Sequence, residues 1–130
     1  MIQNGPLKIK IQIYCHDEIA MGPGKADLLE AIGKEGSISA AGRALGMSYR
    51  RTWLLVDVMN RCWRAPLVET SAGGSHGGGA RLSSLGTAIL QGYRKLEQRC
   101  ADAAQGTVLD GLLNELLPEP LPFRQERPDT

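Results

Sequence analysis

The order of apolar and polar residues near the N-terminus predicts one strand followed by a short helix. Residues 7–14, LKIKIQIY, alternate with a period of two and are rich in isoleucine, which is typical of a half-buried edge strand. Pro23 suits the first turn of a helix that runs to about Gly33, because the first helical position needs no N–H. The apolar residues expected to face inward from this helix are Leu28, Leu29 and Ile32.

The middle of the chain predicts two helices joined by a glycine turn. Ser37 or Ser39 can cap a second helix through Leu45 by accepting a hydrogen bond from an exposed backbone N–H. Gly46 suits the left-handed conformation that closes a helix, and Ser48 can cap the next one. A pair of helices with a short glycine-containing turn is the helix-turn-helix arrangement.

The third helix is predicted over residues 48–63. Gly42 on the preceding helix lies where a small residue allows close approach, although a glycine inside a helix costs roughly 1 kcal/mol of helix propensity. We also assign Trp53 and Leu54 to the core, because large apolar residues are more often buried than exposed. The inward positions of the third helix are Leu55, Val56, Met59 and Trp63.

Beyond Pro66 the pattern predicts a glycine-rich hairpin and then a long helix. Short strands at 67–70 and 80–83 enclose the sequence SAGGSHGGG, which we interpret as a wing. A fourth helix spans about 84–104, and its apolar stripe would leave surface exposed on so small a domain. We therefore expect a homodimer that forms through four residues of this stripe. They are Leu85, Ile89, Tyr93 and Leu96.

Together these elements predict an α+β fold that is mainly α with a small β wing. The predicted architecture is a winged helix-turn-helix with an N-terminal strand and a long C-terminal dimerisation helix. A chain of 130 residues is the size of one domain, and we place the winged helix-turn-helix domain at residues 1–104. Residues 105–130 would add a short helical segment and a mobile proline-rich tail.

Charge is unevenly distributed along the chain. The formal net charge is only +1, but residues 36–83 carry six arginines against two carboxylates, a net of +4. Residues 17–35 carry two lysines against five carboxylates, a net of −3. Arginine is suited to forked recognition of phosphate or of guanine edges, so the basic segment favours a nucleic-acid partner.

Other classes of function have little support. Cys15, Cys62 and Cys100 form no C-x-x-C pair, so we expect reduced thiols and no metal site of the usual kind. His16 and Asp17 follow Cys15, but contiguous residues on an extended segment point to opposite faces. We therefore expect no catalytic residue, no metal and no cofactor. Without a membrane span or a secretory signal, we expect a cytoplasmic protein.

The candidate DNA-reading residues lie at the start of the third helix. They are Ser48, Tyr49, Arg50 and Arg51. The serine and the N–H groups of the first turn can meet phosphate, and either arginine can bond both O6 and N7 of a guanine. The alternative is that Arg50 and Arg51 only solvate one face of a helical hairpin. No acidic residue lies three or four positions away from them, which weakens that alternative.

The glycine loop supplies the second group of candidates. They are Gly74, Ser75, His76, Gly77 and Arg81. Glycines would let the backbone approach a duplex, and Arg81 could hold phosphate or enter the minor groove. The loop lacks the Gly-Lys-Ser/Thr ending of a P-loop, so nucleotide binding is disfavoured. A plain flexible hairpin is nearly as good an account of His76.

The run GSISAAGRALGMSYRRTWLLVDVMNRCW, then PLVET, the GGGARLSSLG segment and YRKLE, resembles the N-terminal DNA-binding domain of ModE-type molybdate-responsive transcriptional regulators. LysR-type regulators have a more distant version of these helices. The resemblance covers about residues 22–100. It implies a winged helix-turn-helix, a dimer formed by helices flanking the reading unit, and a palindromic operator near molybdate transport or molybdoenzyme genes. It also implies a separate sensor of small β-barrels, for which this chain has no room.

The sequence therefore predicts a sequence-specific regulator that binds double-stranded DNA and lacks its own molybdate-binding domain. A separate molybdate-binding protein could then dock on the fourth helix or on the tail. The alternative is a protein-interaction module whose basic patch docks an acidic partner without DNA binding.

Overall fold

The computed structural model describes residues 1–74 and 77–123, and the fold is α+β. Within the described residues, five helices combine with three two-stranded antiparallel sheets. The elements are β1 (Ile2–Asn4), β2 (Leu7–Ile9), β3 (Ile13–Cys15), β4 (Glu18–Met21), α1 (Pro23–Glu35), α2 (Ile38–Ala44), α3 (Tyr49–Cys62), β5 (Val68–Gly74), β6 (Gly77–Leu82), α4 (Ser84–Ala104) and α5 (Thr107–Asn114).

The single N-terminal strand predicted over residues 7–14 is wrong, because this stretch is divided between two hairpins. Strand β1 pairs with β2 across a turn at Gly5, and β3 pairs with β4 across a turn at His16. Between the hairpins, the carbonyl of Ile11 accepts a 2.7 Å hydrogen bond from the hydroxyl of Tyr93. This hydrogen bond attaches the segment between the two hairpins to helix α4. The alternation of apolar residues continues through the break and does not reveal it.

Helix α1 lies at the centre of the core, where it contacts α2, α3, α4 and β6. Its predicted inner face is confirmed, since Leu28, Leu29 and Ile32 are fully buried. The helix begins with Pro23 in its first turn, as predicted, and ends at Gly36 in the left-handed conformation. The remaining buried residues of the core cluster are Met21, Ala26, Ile38, Ala41, Val56, Met59, Leu67, Val68 and Tyr93.

Helices α2 and α3 approach each other most closely at Gly42. Ser37, and not Ser39, caps α2, and Gly46 makes the predicted left-handed turn with φ of 71°. A Cβ atom added at Gly42 would overlap the hydroxyl of Thr52 and lie 2.9 Å from its Cβ and Cγ2. The small residue that the sequence places here is therefore required by packing.

The assignment of Trp53 and Leu54 to the core is wrong. Trp53 is 38% exposed and Leu54 is 52% exposed. Helix α3 buries only one face, and these two residues lie away from it. Trp63 was assigned correctly, since it packs against the core and its indole N–H donates to the carbonyl of Ala20 at 3.2 Å. The buried residues of α3 are Thr52, Val56 and Met59.

Helix α4 has the predicted bounds, but its apolar stripe packs mostly against the chain's own core. Tyr93 is buried, Leu85 and Ile89 are half-buried against the core cluster, and Leu96 is 40% exposed. The premise that the whole stripe stays exposed is therefore wrong, and dimerisation through it stays a prediction. Helix α5 provides the segment expected beyond residue 104. Residues 124–130 of the predicted tail lie outside the described residues.

Candidate functional site

The N-terminus of α3 presents the predicted reading residues on the surface. Ser48 caps the helix, and its Oγ accepts a 3.1 Å hydrogen bond from the N–H of Arg51. Its carbonyl accepts two further bonds, from the N–H of Thr52 at 3.0 Å and from the Thr52 hydroxyl at 2.8 Å. Ser48 therefore fixes where the helix starts. An anion at this end would meet the N–H groups of the first turn that have no partner within the helix.

Arg50 and Arg51 are exposed, and neither forms an ion pair within residues 1–74 and 77–123. Lys25, in the first turn of α1, is near enough to Arg51 for the two positive charges to interact. Burial lowers the pKa of Lys25, and the positive charge of Arg51 lowers it further, while Cys62 and Glu18 act in the opposite direction. The positive charge of Arg51 is therefore felt as far as Lys25. The sequence analysis did not single out Lys25, because only the fold lets the charges of residues 25 and 51 interact.

The β5–β6 hairpin gives Arg81 a partner that the sequence did not predict. Glu69 lies directly opposite Arg81 in the sheet register, and its Oε2 accepts from Nη2 at 3.2 Å and from Nε at 3.3 Å. The hairpin closes with Gly74 paired to Gly77. Ser75 and His76, which the sequence proposed as wing contacts, lie outside the described residues. Arg81 remains 81% exposed, so it can reach a ligand if it releases Glu69.

Side-chain and backbone hydrogen bonds fix the hairpin to the helices. Asn60 of α3 accepts from the N–H groups of Leu67 and Val68 through Oδ1, at 2.9 and 3.0 Å, and donates to the Val68 carbonyl through Nδ2 at 3.2 Å. On the other strand, the N–H of Ala80 donates to the carbonyl of Gly36 at 2.9 Å. The sequence analysis missed Asn60. The sequence feature that could have revealed Asn60 is a polar residue between the inward positions 59 and 63.

The first half of α3 also carries three large residues on its surface. Tyr49 is 69% exposed, and its ring centre lies 6.1 Å from that of Trp53. Leu54 is the third member, and we call Tyr49, Trp53 and Leu54 the apolar strip. Trp53 borders a shallow cavity of about 150 Å³ between the start of α2 and the hairpin. The other residues that line this cavity are Ser37, Ile38, Ser39, Thr70, Ser71, Gly79 and Ala80.

The remaining titratable groups offer little chemistry. In the part of the chain that the structure describes, no three His, Cys, Asp or Glu side chains are grouped to hold a metal ion. His16 Nε2 does approach Asp17 Oδ2 to 3.6 Å, contrary to the expected divergence, because the chain turns at His16. Burial and the neighbouring Cys15 raise the pKa of Cys62, which keeps this thiol protonated. None of the described helices is long and apolar enough to cross a membrane.

No protein-family model matches the chain. Among curated proteins it is 42% identical over 78 residues to the molybdenum transport protein ModE of Azotobacter vinelandii, covering 60% of this chain and 29% of that protein. It is 33% identical over 91 residues to the DNA-binding transcriptional dual regulator ModE of Escherichia coli K12, covering 70% and 35%. It is 40% identical over 77 residues to the molybdenum-pterin-binding protein MopA of Rhodobacter capsulatus, covering 59% and 29%.

The resemblance to ModE-type regulators that the sequence motifs indicated is thus confirmed. The chain spans about a third of the length of the curated relatives it matches.

Proposed function

We propose that the chain binds duplex DNA through the N-terminus of α3 and the β5–β6 hairpin, as a sequence-specific transcriptional regulator. The observation that carries this proposal is the pair of exposed arginines, Arg50 and Arg51, on the first turn of a capped helix. Helices α2 and α3 with their glycine turn, followed by the hairpin, have the order of a winged helix-turn-helix. Four of the relatives are named as transcriptional regulators, which supports the same interpretation.

In this arrangement the first turn of α3 and the β5–β6 hairpin make different contacts with the duplex. The N-terminal residues of the second helix usually enter the major groove, where Arg50 or Arg51 would form a forked contact with guanine O6 and N7. The hairpin would follow the backbone, with Gly74 and Gly77 close to phosphate and Arg81 released from Glu69. A homodimer on a palindromic operator follows from the usual symmetry of such proteins.

The regulated genes would concern molybdate transport or molybdoenzymes. This part of the proposal rests on the printed names of the relatives, which include molybdenum transport and molybdenum-pterin binding. We propose that molybdate sensing, where it acts on this chain, comes from a separate molybdate-binding protein. The chain works inside the cytoplasm, where the operator is.

The test measures binding of the 130-residue chain to labelled duplexes by fluorescence anisotropy at several salt concentrations. We expect log K to fall with log salt, with a slope proportional to the number of phosphates contacted. Arg50→Ala should reduce the preference for a selected duplex over a random one by about 1 to 3 kcal/mol. Arg99→Ala, at an exposed arginine of α4, is the matched control and should leave that preference unchanged. Absence of binding to any duplex at low salt would refute the proposal.

A second candidate is direct binding of a molybdenum oxyanion. It is favoured by the relatives named molybdenum-pterin-binding proteins, one of which is 44% identical over 77 residues. Isothermal titration of the chain with molybdate tests it, and tight binding would contradict the separate sensor proposed above. If neither DNA nor molybdate binds, the remaining alternative is that the basic surface docks an acidic protein.

A further inference from the structure

The first half of α3 is unusual because its solvent-facing side is apolar beside the arginines. The exposed fractions are 69% for Tyr49, 38% for Trp53 and 52% for Leu54. A helix on the surface of a monomer normally places polar residues on this face. The buried face of the same helix is already complete, with Thr52, Val56 and Met59 in or beside the core. The apolar strip is therefore available to a ligand.

The charges around the strip indicate what kind of ligand it meets. Leu54 lies one helical turn after Arg50, so their side chains share a face. Arg51 adds a second positive charge, whereas the next turn is neutral because Asp57 and Arg61 pair at 2.9 Å. A partner for this surface must be anionic next to Arg50 and offer small apolar groups one turn further along.

A DNA major groove has these two properties together. Each thymine places a 5-methyl group in the groove, and no other standard base has an apolar substituent there. An α-helix enters the groove with its N-terminal half, which on α3 is the half that carries both Arg50 and the apolar strip.

We propose that Leu54, together with Tyr49 and Trp53, contacts thymine 5-methyl groups in the major groove, and so determines part of the base preference of this chain. The contact lies next to the base that Arg50 reads. This inference rests on the proposed function, since it needs α3 to enter the groove. It goes further by naming the base that the apolar strip selects and the group on that base that it touches.

The experiment starts from a duplex selected from a random library by the full chain. Each thymine of that duplex is replaced in turn by uracil, which removes only the 5-methyl group. Burying one methyl-sized group corresponds to about fourfold in affinity. We expect the wild-type chain to lose about fourfold at one or more thymines in each half-site. A duplex with no sensitive thymine overturns the inference, whatever its affinity.

Two variants assign the effect to a residue. Leu54→Ala should weaken binding to the thymine duplex by a similar factor and abolish the difference between thymine and uracil at the thymine that Leu54 contacts. Leu112→Ala is the matched control, because Leu112 on α5 is 67% exposed and lies outside the proposed interface. This variant should keep the full difference. Leu54 is half exposed, so its replacement should not unfold the domain. The uracil scan of the wild-type chain needs no variant, so it tests the inference even if Leu54→Ala does not fold.

The outcomes separate this inference from the function on which it rests. If the chain binds DNA with a salt-dependent slope but no thymine is sensitive to loss of its methyl group, the inference fails and the proposed function stands. If Leu54→Ala keeps the full difference between thymine and uracil at every sensitive position, Leu54 makes no methyl contact and its assignment is wrong. If no duplex binds at low salt, both fail. Burial of the apolar strip between two copies of the chain is then the remaining explanation.

Discussion

Replacing Gly42 by alanine tests whether the contact between α2 and α3 positions the reading helix. The added Cβ would overlap the hydroxyl of Thr52 and approach its Cβ and Cγ2 to 2.9 Å. Thr52 cannot move aside easily, because it is 1% exposed and its hydroxyl donates to the carbonyl of Ser48 at 2.8 Å. The two helices must therefore separate, or the hydrogen bond must break.

The expected magnitude follows from two opposing effects. Overfilling a packed contact costs about 1 to 3 kcal/mol, and the tightness of this one argues for the upper end. Alanine recovers roughly 1 kcal/mol of helix propensity relative to glycine. We expect Gly42→Ala to lower the free energy of unfolding by about 2 kcal/mol. Gly92→Ala is the matched control on α4, because nothing lies within 4 Å of a Cβ built there. It should raise the free energy by about 0.5 to 1 kcal/mol.

Urea unfolding followed by circular dichroism measures both variants at one protein concentration. The midpoint concentration should fall for Gly42→Ala and rise for Gly92→Ala while the slope m stays constant. Duplex affinity should fall in Gly42→Ala even where the variant is fully folded, because α3 would be displaced from α2. The reasoning is refuted if Gly42→Ala is as stable as the wild type while Gly92→Ala is stabilised as expected.

Two further predictions concern charge and ionisation. Glu69→Gln removes the negative charge that holds Arg81, and we expect tighter binding to all duplexes alike, because Arg81 no longer has to leave an ion pair to reach phosphate; unchanged affinity in anisotropy titrations would contradict the wing role. Burial, together with the negative charge of Glu97, raises the pKa of Tyr93 to about 12. Because the folded pKa lies above the unfolded value of 10, Tyr93 stabilises the fold below about pH 10, and this stability is lost as pH rises through about 12. Urea unfolding at increasing pH should show the loss, and Tyr93→Phe should reduce this pH dependence.

Local rules were enough to predict the helices and their ends. A serine that caps a helix and a glycine that takes a positive φ act on their own few residues, so Ser48 and Gly46 could be assigned from neighbouring sequence alone. The requirement for glycine at position 42 was also predicted, because a helix-turn-helix brings a known pair of positions together. These features together fixed where Arg50 and Arg51 lie on the surface.

The features that were missed depend on residues far apart in the sequence. The break in the N-terminal strand reflects a hydrogen bond between Ile11 and Tyr93, 82 positions apart. The pairing of Glu69 with Arg81 depends on the register of a hairpin whose loop length admits several alternatives. Trp53 and Leu54 were placed in the core because of their residue type alone. At the edge of an apolar helical stripe, residue type does not decide whether a large side chain is buried or exposed.

Two contacts fix helix α3 in the fold, one near each end. Near its start, Thr52 packs on the bare backbone of Gly42, and near its end Asn60 bonds the chain at Leu67 and Val68. Both contacts are specific in geometry, so the helix has little freedom to rotate about its axis. A rotation that buried Leu54 would have to break them. The exposure of Leu54 is therefore imposed by the same contacts that direct Arg50 outward, and it does not result from incomplete packing of the helix.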